Sequence, residues 1–83
     1  MDFYEFNYLP GNDRAELLWQ HGRLLAIRDY MGCSIVLYKM QEFFAEVWYS
    51  PEDNQIALVH GFKSPELLEP YIESINLEEL FGK

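Results

Sequence analysis

The chain has 83 residues, of which 14 are acidic and 6 are basic, so its formal net charge is −8. A chain of this length forms one domain, and we expect residues 1–83 to fold around a single core. Such an acidic surface repels phosphate groups, which argues against binding to nucleic acid or to anionic membranes. Aromatic residues make up 17% of the chain, which suffices for a dense core or for an apolar surface that meets a partner.

The number of cysteines is informative about the cellular compartment of the protein. Cys33 is the single cysteine, so no disulfide can form within the chain. Secreted domains of this size usually need disulfides, and we therefore expect a cytoplasmic protein. The first residues lack the basic and apolar segments of a signal peptide, and no apolar run approaches the ~20 residues that cross a bilayer.

The first nine residues alternate in character. Tyr4, Phe6 and Tyr8 fall on one side of an extended chain, and aromatic residues with a period of two predict a strand over residues 2–9. Residues 10–12, with the sequence Pro-Gly-Asn, end that segment.

A short helix is predicted next, over residues 14–21. Asp13 and Glu16 form a capping pattern at its start, and Gly22 suits its end. Leu17 and Leu18 would lie on its buried side, with Trp19 as a further candidate for that side.

The middle of the chain returns to a period of two and predicts strands near residues 23–30, 33–40, 42–50 and 55–62. The segments between them are short. Short turns join antiparallel neighbours, because a parallel crossover needs a dozen or more residues. The sequence therefore predicts an α+β fold, in which an antiparallel β-meander of four or five strands has a short N-terminal helix and a C-terminal helical segment.

Turn lengths predict the strand register. A two-residue turn after Lys39 would place that residue opposite Glu42, and a four-residue loop, 51–54, would place Tyr49 opposite Ile56. One face of the sheet would then carry Val36, Tyr38, Phe43, Ala45, Val47, Tyr49, Ile56, Leu58 and His60. The opposite face would carry Ile35, Leu37, Phe44, Glu46, Trp48, Ala57 and Val59.

Both predicted faces are largely apolar, although a sheet with one solvated face alternates cleanly between apolar and polar residues. Something must therefore cover the second face. The sequence leaves three candidates open: the N-terminal helix, the C-terminal segment, or a second copy of the chain. The third candidate leads to the prediction of a homodimer.

The C-terminal segment starts with Ser64 as a helix cap and Pro65 in the first helical position. Apolar residues at helical spacing follow. Pro70 predicts a kink or a fresh start within this segment, because proline breaks a helical hydrogen bond. A second capping pattern, Asn76 with Glu79, predicts a final turn that ends at Gly82.

Few residues are candidates for chemistry. His60, His21 and Cys33 each have an adequate structural role, and they lack the spacing of metal ligands. Glu46 would lie among Phe44, Trp48 and Val59, where an apolar environment could raise the pKa of its carboxyl group for acid–base work. The favoured alternative is structural: Glu46 would lie near a sheet edge or form an ion pair with Arg23, Arg28 or Lys39.

The leading hypothesis is a non-catalytic protein-interaction or self-assembly domain that forms a homodimer. An acidic inhibitor or immunity-type protein that binds a basic partner is the first alternative. A small ligand-binding domain or enzyme built around Glu46 and Trp48 is the second. We expect no cofactor, metal, nucleic acid or membrane as a partner. The predicted interaction residues are Phe3, Tyr4, Phe6, Tyr8, Phe44 and Trp48.

Overall fold

A four-stranded antiparallel sheet organises the protein, and its strands follow one another in the order β1-β2-β3-β4. The computed structural model describes residues 2–72. Two α-helices precede the sheet and a 3-10 helix follows it, so the predicted α+β meander is confirmed with four strands. The elements are α1 (Phe3–Tyr8), α2 (Gly11–His21), β1 (Arg23–Tyr30), β2 (Cys33–Lys39), β3 (Phe44–Tyr49), β4 (Ile56–Phe62) and the 3-10 helix (Pro65–Tyr71).

The predicted N-terminal strand is wrong, because this segment is helix α1. A reciprocal capping box starts it: the Glu5 backbone N–H donates to Asp2 Oδ1 at 2.8 Å, and the Asp2 N–H donates to Glu5 Oε1 at 3.0 Å. These local bonds satisfy backbone groups that a strand here would leave unpaired. Of the three alternating aromatic residues, only Phe6 is buried.

Helix α2 starts three residues earlier than predicted. Pro10 is its N-cap, without a side-chain hydrogen bond, and Asp13 lies inside its first turn. The helix ends as predicted, with Gly22 at the cap position donating its N–H to the Leu18 carbonyl at 2.8 Å. Arg14 then ties this helix to its neighbours, since its guanidinium donates to the carbonyl oxygens of Asn7, Leu9 and Val59 at 2.6, 2.8 and 2.9 Å.

Two of the three strand connections follow the sequence prediction. Met31 and Gly32 form the β1–β2 turn with φ values of 51° and 86°, the left-handed conformations that a tight hairpin turn requires. The loop 51–54 has four residues between Ser50 and Gln55, and the Ser50 N–H donates to the Gln55 carbonyl at 2.8 Å.

The β2–β3 connection is longer than predicted. Lys39 lies opposite Phe44 rather than Glu42, because Met40 and Phe43 close a four-residue turn through a 2.8 Å backbone hydrogen bond. This corrects the predicted Lys39–Glu42 pair. The shift is two residues, an even number, so each β2 and β3 side chain stays on its predicted face.

A β-bulge in β4 overturns the predicted faces for that strand. Tyr49 pairs with Ile56 as predicted, but the register shifts and Trp48 then pairs with Leu58. One extra residue in a strand moves every later side chain to the opposite face. His60 therefore lies opposite Glu46, and Val59 lies opposite Val47.

Each face of the sheet has its own core. The first face is covered by α1 and α2, and its buried residues are Phe6, Ala15, Leu18, Tyr38, Met40, Phe43, Ala45, Val47 and Val59. Gly61 makes room for α1, because a Cβ there would lie 3.1 Å from the Phe6 ring. The second face is covered in part by the 3-10 helix, and its buried cluster is Leu37, Phe62, Leu68 and Tyr71.

The C-terminal segment therefore covers part of the second face, as one of the three predicted candidates. Ser64 caps it as predicted, accepting a hydrogen bond from the Glu66 N–H at 3.3 Å. Pro70 lies inside the 3-10 helix. Leu68 and Tyr71 are three residues apart, which places them on one side of a 3-10 helix and turns both toward the sheet. The predicted final turn, 76–82, lies outside the described residues.

Candidate functional site

Glu46 is the buried charged residue of the second face, with 6% of its surface exposed. Strand β3 projects its carboxylate toward three donors that come from three different elements. The Tyr71 hydroxyl donates to Oε2 at 2.6 Å, and Arg28 Nη2 lies 3.4 Å from the same oxygen. The Trp48 indole N–H donates to Oε1 at 3.2 Å.

Arg28 is held by aromatic rings as well as by the carboxylate. Its guanidinium carbon lies 5.1 Å from the centre of the Tyr71 ring, 5.7 Å from Tyr30 and 6.0 Å from Trp48. Burial lowers the pKa of Arg28, but hydrogen bonding and charge interactions with Tyr71 and Glu46 outweigh burial and raise that pKa above its ordinary value. The cation is therefore permanent, and it balances the buried carboxylate.

Tyr71 is fully buried and links the 3-10 helix to this charge pair. Burial is the main reason that the pKa of Tyr71 lies far above its ordinary value of 10.0, and the hydrogen bond to Glu46 raises it further. The phenol therefore stays protonated and serves as a donor. His60 Nδ1 lies 3.9 Å from Glu46 Oε1 and its side chain is 46% exposed, so it adds a contact at the solvent side.

This arrangement is that of a structural ion pair. Both carboxylate oxygens already accept hydrogen bonds from side chains of the same chain. The predicted pairing of Glu46 with an arginine is confirmed for Arg28. The predicted neighbour Val59 is wrong, because the β4 bulge turns that residue to the first face. The network anchors the 3-10 helix to the second face of the sheet.

An exposed apolar surface lies on the β1 side of the first face. We call Trp19, Leu24, Ile27 and Val36 the β1 patch. Leu24 is 51% exposed, Ile27 is 64% exposed and Trp19 is 54% exposed, while Val36 is half-buried.

These side chains are neighbours by register. Leu24 pairs with Tyr38 and Ile27 pairs with Val36, and paired residues of antiparallel strands point to the same face. Burial raises the pKa of Tyr38 and the neighbouring Trp19 side chain lowers it, so Trp19 lies beside Tyr38 and closes the patch at the helix side. The patch is therefore continuous from α2 to the outer strand.

The patch lies on the side of the first face that is away from the main helix contacts. Both α1 and α2 contact β4, and Arg14 bonds to the Val59 carbonyl of that strand. The β1 side is left without a helix among the described residues.

The predicted interaction residues are spread over three regions. Tyr4 and Tyr8 are 71% and 92% exposed on α1, whereas Phe6 is fully buried in the first core. Phe3 is half-buried against Phe43, with ring centres 5.7 Å apart.

The other two predicted residues lie on the second face. Phe44 is half-buried and stacks on Phe62 with ring centres 5.8 Å apart. Trp48 is half-buried in the Glu46 network. Phe6 is thus not available to a partner in this fold, and the two second-face residues already have partners within the chain.

Sequence reasoning missed the β1 patch. A bulge between Leu24 and Ala26 turns Leu25 and Ala26 toward the second core and leaves Leu24 and Ile27 on the first face. Three-residue spacing within a strand does not fit a period of two, so simple alternation hides this pair. The sequence signal that could have revealed the patch is the run of four apolar residues at positions 24–27.

Other features carry less chemistry. A cavity of about 450 Å³ is lined by Leu17, His21, Met40 and Gln41, and Cys33 is a half-buried free thiol. Residues 2–72 do not gather three His, Cys, Asp or Glu side chains in a group that could hold a metal ion. Within the same residues, no helix has the length and apolar character that crossing a bilayer requires.

Comparisons of the chain with models of known protein families, with curated proteins and with solved structures give no match.

Proposed function

We propose that this chain is a non-catalytic protein-interaction domain and that the β1 patch is its binding surface. The observation that carries the proposal is the exposure of three large apolar side chains close together, Trp19 on α2 and Leu24 and Ile27 on the same face of the sheet. Large apolar side chains grouped in this way on a small domain are typical of interaction surfaces. Tryptophan is also among the residues that contribute most to binding energy at interfaces.

Binding through the face is favoured over pairing through the β1 edge. The outer edge of β1 carries a bulge near Leu24, and bulges on edge strands hinder regular pairing with another strand. The side chains rather than the backbone of β1 are therefore the expected contact.

The alternative of an enzyme around Glu46 and Trp48 has less support. Its central carboxylate already accepts hydrogen bonds from Tyr71 and Trp48 and pairs with Arg28. A general base needs an oxygen within reach of a substrate proton.

Self-assembly is the second candidate, and exposed Tyr4 and Tyr8 favour it. The homodimer stays a prediction. Trp48→Glu is unsuitable as its test, because a second carboxylate beside Glu46 would destabilise the fold in any oligomeric state. Tyr8→Glu changes a residue that is 92% exposed and is the cleaner variant.

Quantitative co-purification tests the proposed function. The tagged protein, Ile27→Asp and Ala57→Asp are expressed at equal levels and recovered from native extract with their partners. Ala57 is the matched control, because it is exposed on the far edge strand β4. We expect a partner that is retained by the wild type and by Ala57→Asp and is lost from Ile27→Asp. Equal recovery of every partner by both variants would refute the β1 patch as the binding surface.

A further inference from the structure

The charges around the β1 patch are acidic. Asp29 lies on the same face as Ile27, two residues further along β1, where it pairs with Ser34. Glu16 is exposed on α2 one turn before Trp19, and residues one turn apart share a side of a helix. The patch therefore has a carboxylate at its helix side and another at its strand end.

The loop 51–54 adds two carboxylates near the strand end. Glu52 and Asp53 are exposed, and their loop lies next to the β1–β2 turn, since a Cβ on Gly32 would be 3.4 Å from Pro51. We call Glu16, Asp29, Glu52 and Asp53 the acidic rim, and it places negative charge at the border of the β1 patch.

The basic residues of the described chain lie elsewhere. Arg28 and Lys39 occupy register positions on the second face, as does Arg23, which pairs with Lys39. Arg14 is bonded to three carbonyl oxygens beside α1 and β4, and Lys63 follows β4 at the opposite edge of the sheet. The acidic rim is therefore not neutralised by a lysine or arginine of residues 2–72 on the same surface.

We propose that the partner bound at the β1 patch is a basic amphipathic helix of another protein, an inference that rests on the proposed function. The helix would lie beside α2 on the first face, over the β1 side of the sheet, where residues 2–72 place no helix. Its apolar side chains would meet Trp19, Leu24 and Ile27. Its lysines or arginines would meet the acidic rim.

A second copy of this chain fits the patch less well. A two-fold pairing through the patch would place the acidic rim of one copy, with Asp29 and Glu16, against the same rim of the other, and each copy carries a formal charge of −8. Like charges across an interface oppose association.

Two synthetic helical peptides with one leucine face test the partner's charge. Their polar face carries lysine in one peptide and glutamine in the other. Titration into the ¹⁵N-labelled full chain gives both the affinity and, from amide shifts, the location. We expect the lysine peptide to bind about tenfold more tightly, since two or three exposed ion pairs together contribute about that factor. The shifts should centre on Leu24 and Ile27, and the preference should shrink with added salt.

A charge-reversal pair provides the matched control. Glu16→Lys with Asp29→Lys keeps the apolar residues and reverses the rim. Glu66→Lys with Glu69→Lys changes the net charge equally at exposed positions of the 3-10 helix. Only the rim variant should lose the preference for the lysine peptide.

Three results would overturn the inference. They are equal affinity of the two peptides at the patch, shifts that centre away from β1, and an unchanged preference in the rim variant. Equal binding of both peptides at the patch would leave the proposed function standing. The proposed function itself is tested separately: it fails if Ile27→Asp co-purifies with the same partners as the wild type.

Discussion

Replacing Tyr71 by phenylalanine removes one hydroxyl from the Glu46 network and keeps the ring that packs against the sheet. The hydroxyl oxygen lies 2.6 Å from Glu46 Oε2, and Tyr71 is fully buried. A hydrogen bond to a charged group contributes about 1.5–3 kcal/mol to folding stability. Arg28, at 3.4 Å from the same oxygen, is too distant to replace it without movement. We therefore expect Tyr71→Phe to lower the free energy of unfolding by about 2 kcal/mol.

Urea denaturation followed by tryptophan fluorescence measures this loss, and Trp48 reports on the network directly. Tyr8→Phe is the matched control, because it removes a hydroxyl from a side chain that is 92% exposed and should change stability by less than about 0.5 kcal/mol. In a domain of this size, the expected loss lowers the melting temperature by about 10 °C. A loss in Tyr71→Phe as small as that in Tyr8→Phe would refute the anchoring role of the Glu46 network.

The structure makes three other predictions. Stability should fall above about pH 10. The pKa of Tyr71 in the folded chain lies above its ordinary value of 10.0, so above that pH the unfolded chain loses the phenol proton while the folded chain still keeps it, which favours unfolding. The advantage of wild type over Tyr71→Phe should therefore shrink above that pH in parallel urea titrations. Gly32→Ala should lower stability by about 1 kcal/mol, since Gly32 has a φ of 86°, and thermal unfolding measures that cost. Light scattering tests the predicted homodimer, for which the measured mass should be twice 9.9 kDa and should fall to the single-chain value in Tyr8→Glu.

The strands were predictable because their pattern and their turns agree. Met31 and Gly32 form a tight turn with two positive φ values, and a short loop of turn-forming residues follows Ser50. Pattern and turn length therefore pointed to the same antiparallel order. The helix start at Ser64 was predictable for a similar reason, since the capping serine is directly followed by a proline, which suits the first helical position.

The errors in the sequence prediction arise where the alternation of apolar and polar residues does not by itself decide the structure. Alternating aromatic residues at positions 4–8 suit a strand, but the capping box of Asp2 with Glu5 and the burial of Phe6 favour a helix. Bulges in β1 and β4 are set by packing on both faces, which no turn length reveals. The bulge in β4 moved His60 toward Glu46, and the bulge in β1 created the β1 patch.

Part of the Glu46 network could be predicted from the sequence. Glu46 stood out as a carboxylate within an apolar pattern, and Arg28 was one of its three proposed ion-pair partners. Tyr71 was not predicted, because its contact with Glu46 spans 25 positions and depends on how the 3-10 helix packs on the sheet. A long-range contact of this kind leaves no periodic signal.

Photo-cross-linking in cells tests the interaction surface most directly. A benzoylphenylalanine replaces Ile27 in the β1 patch, or Ala57 on the opposite edge strand as the control. The proposed function predicts a discrete adduct with another protein from position 27 and none from position 57. An adduct of about twice 9.9 kDa would instead identify a second copy of this chain. Equal adducts from the two positions, or none from position 27 in cells where the protein co-purifies with a partner, would contradict the assignment of the β1 patch.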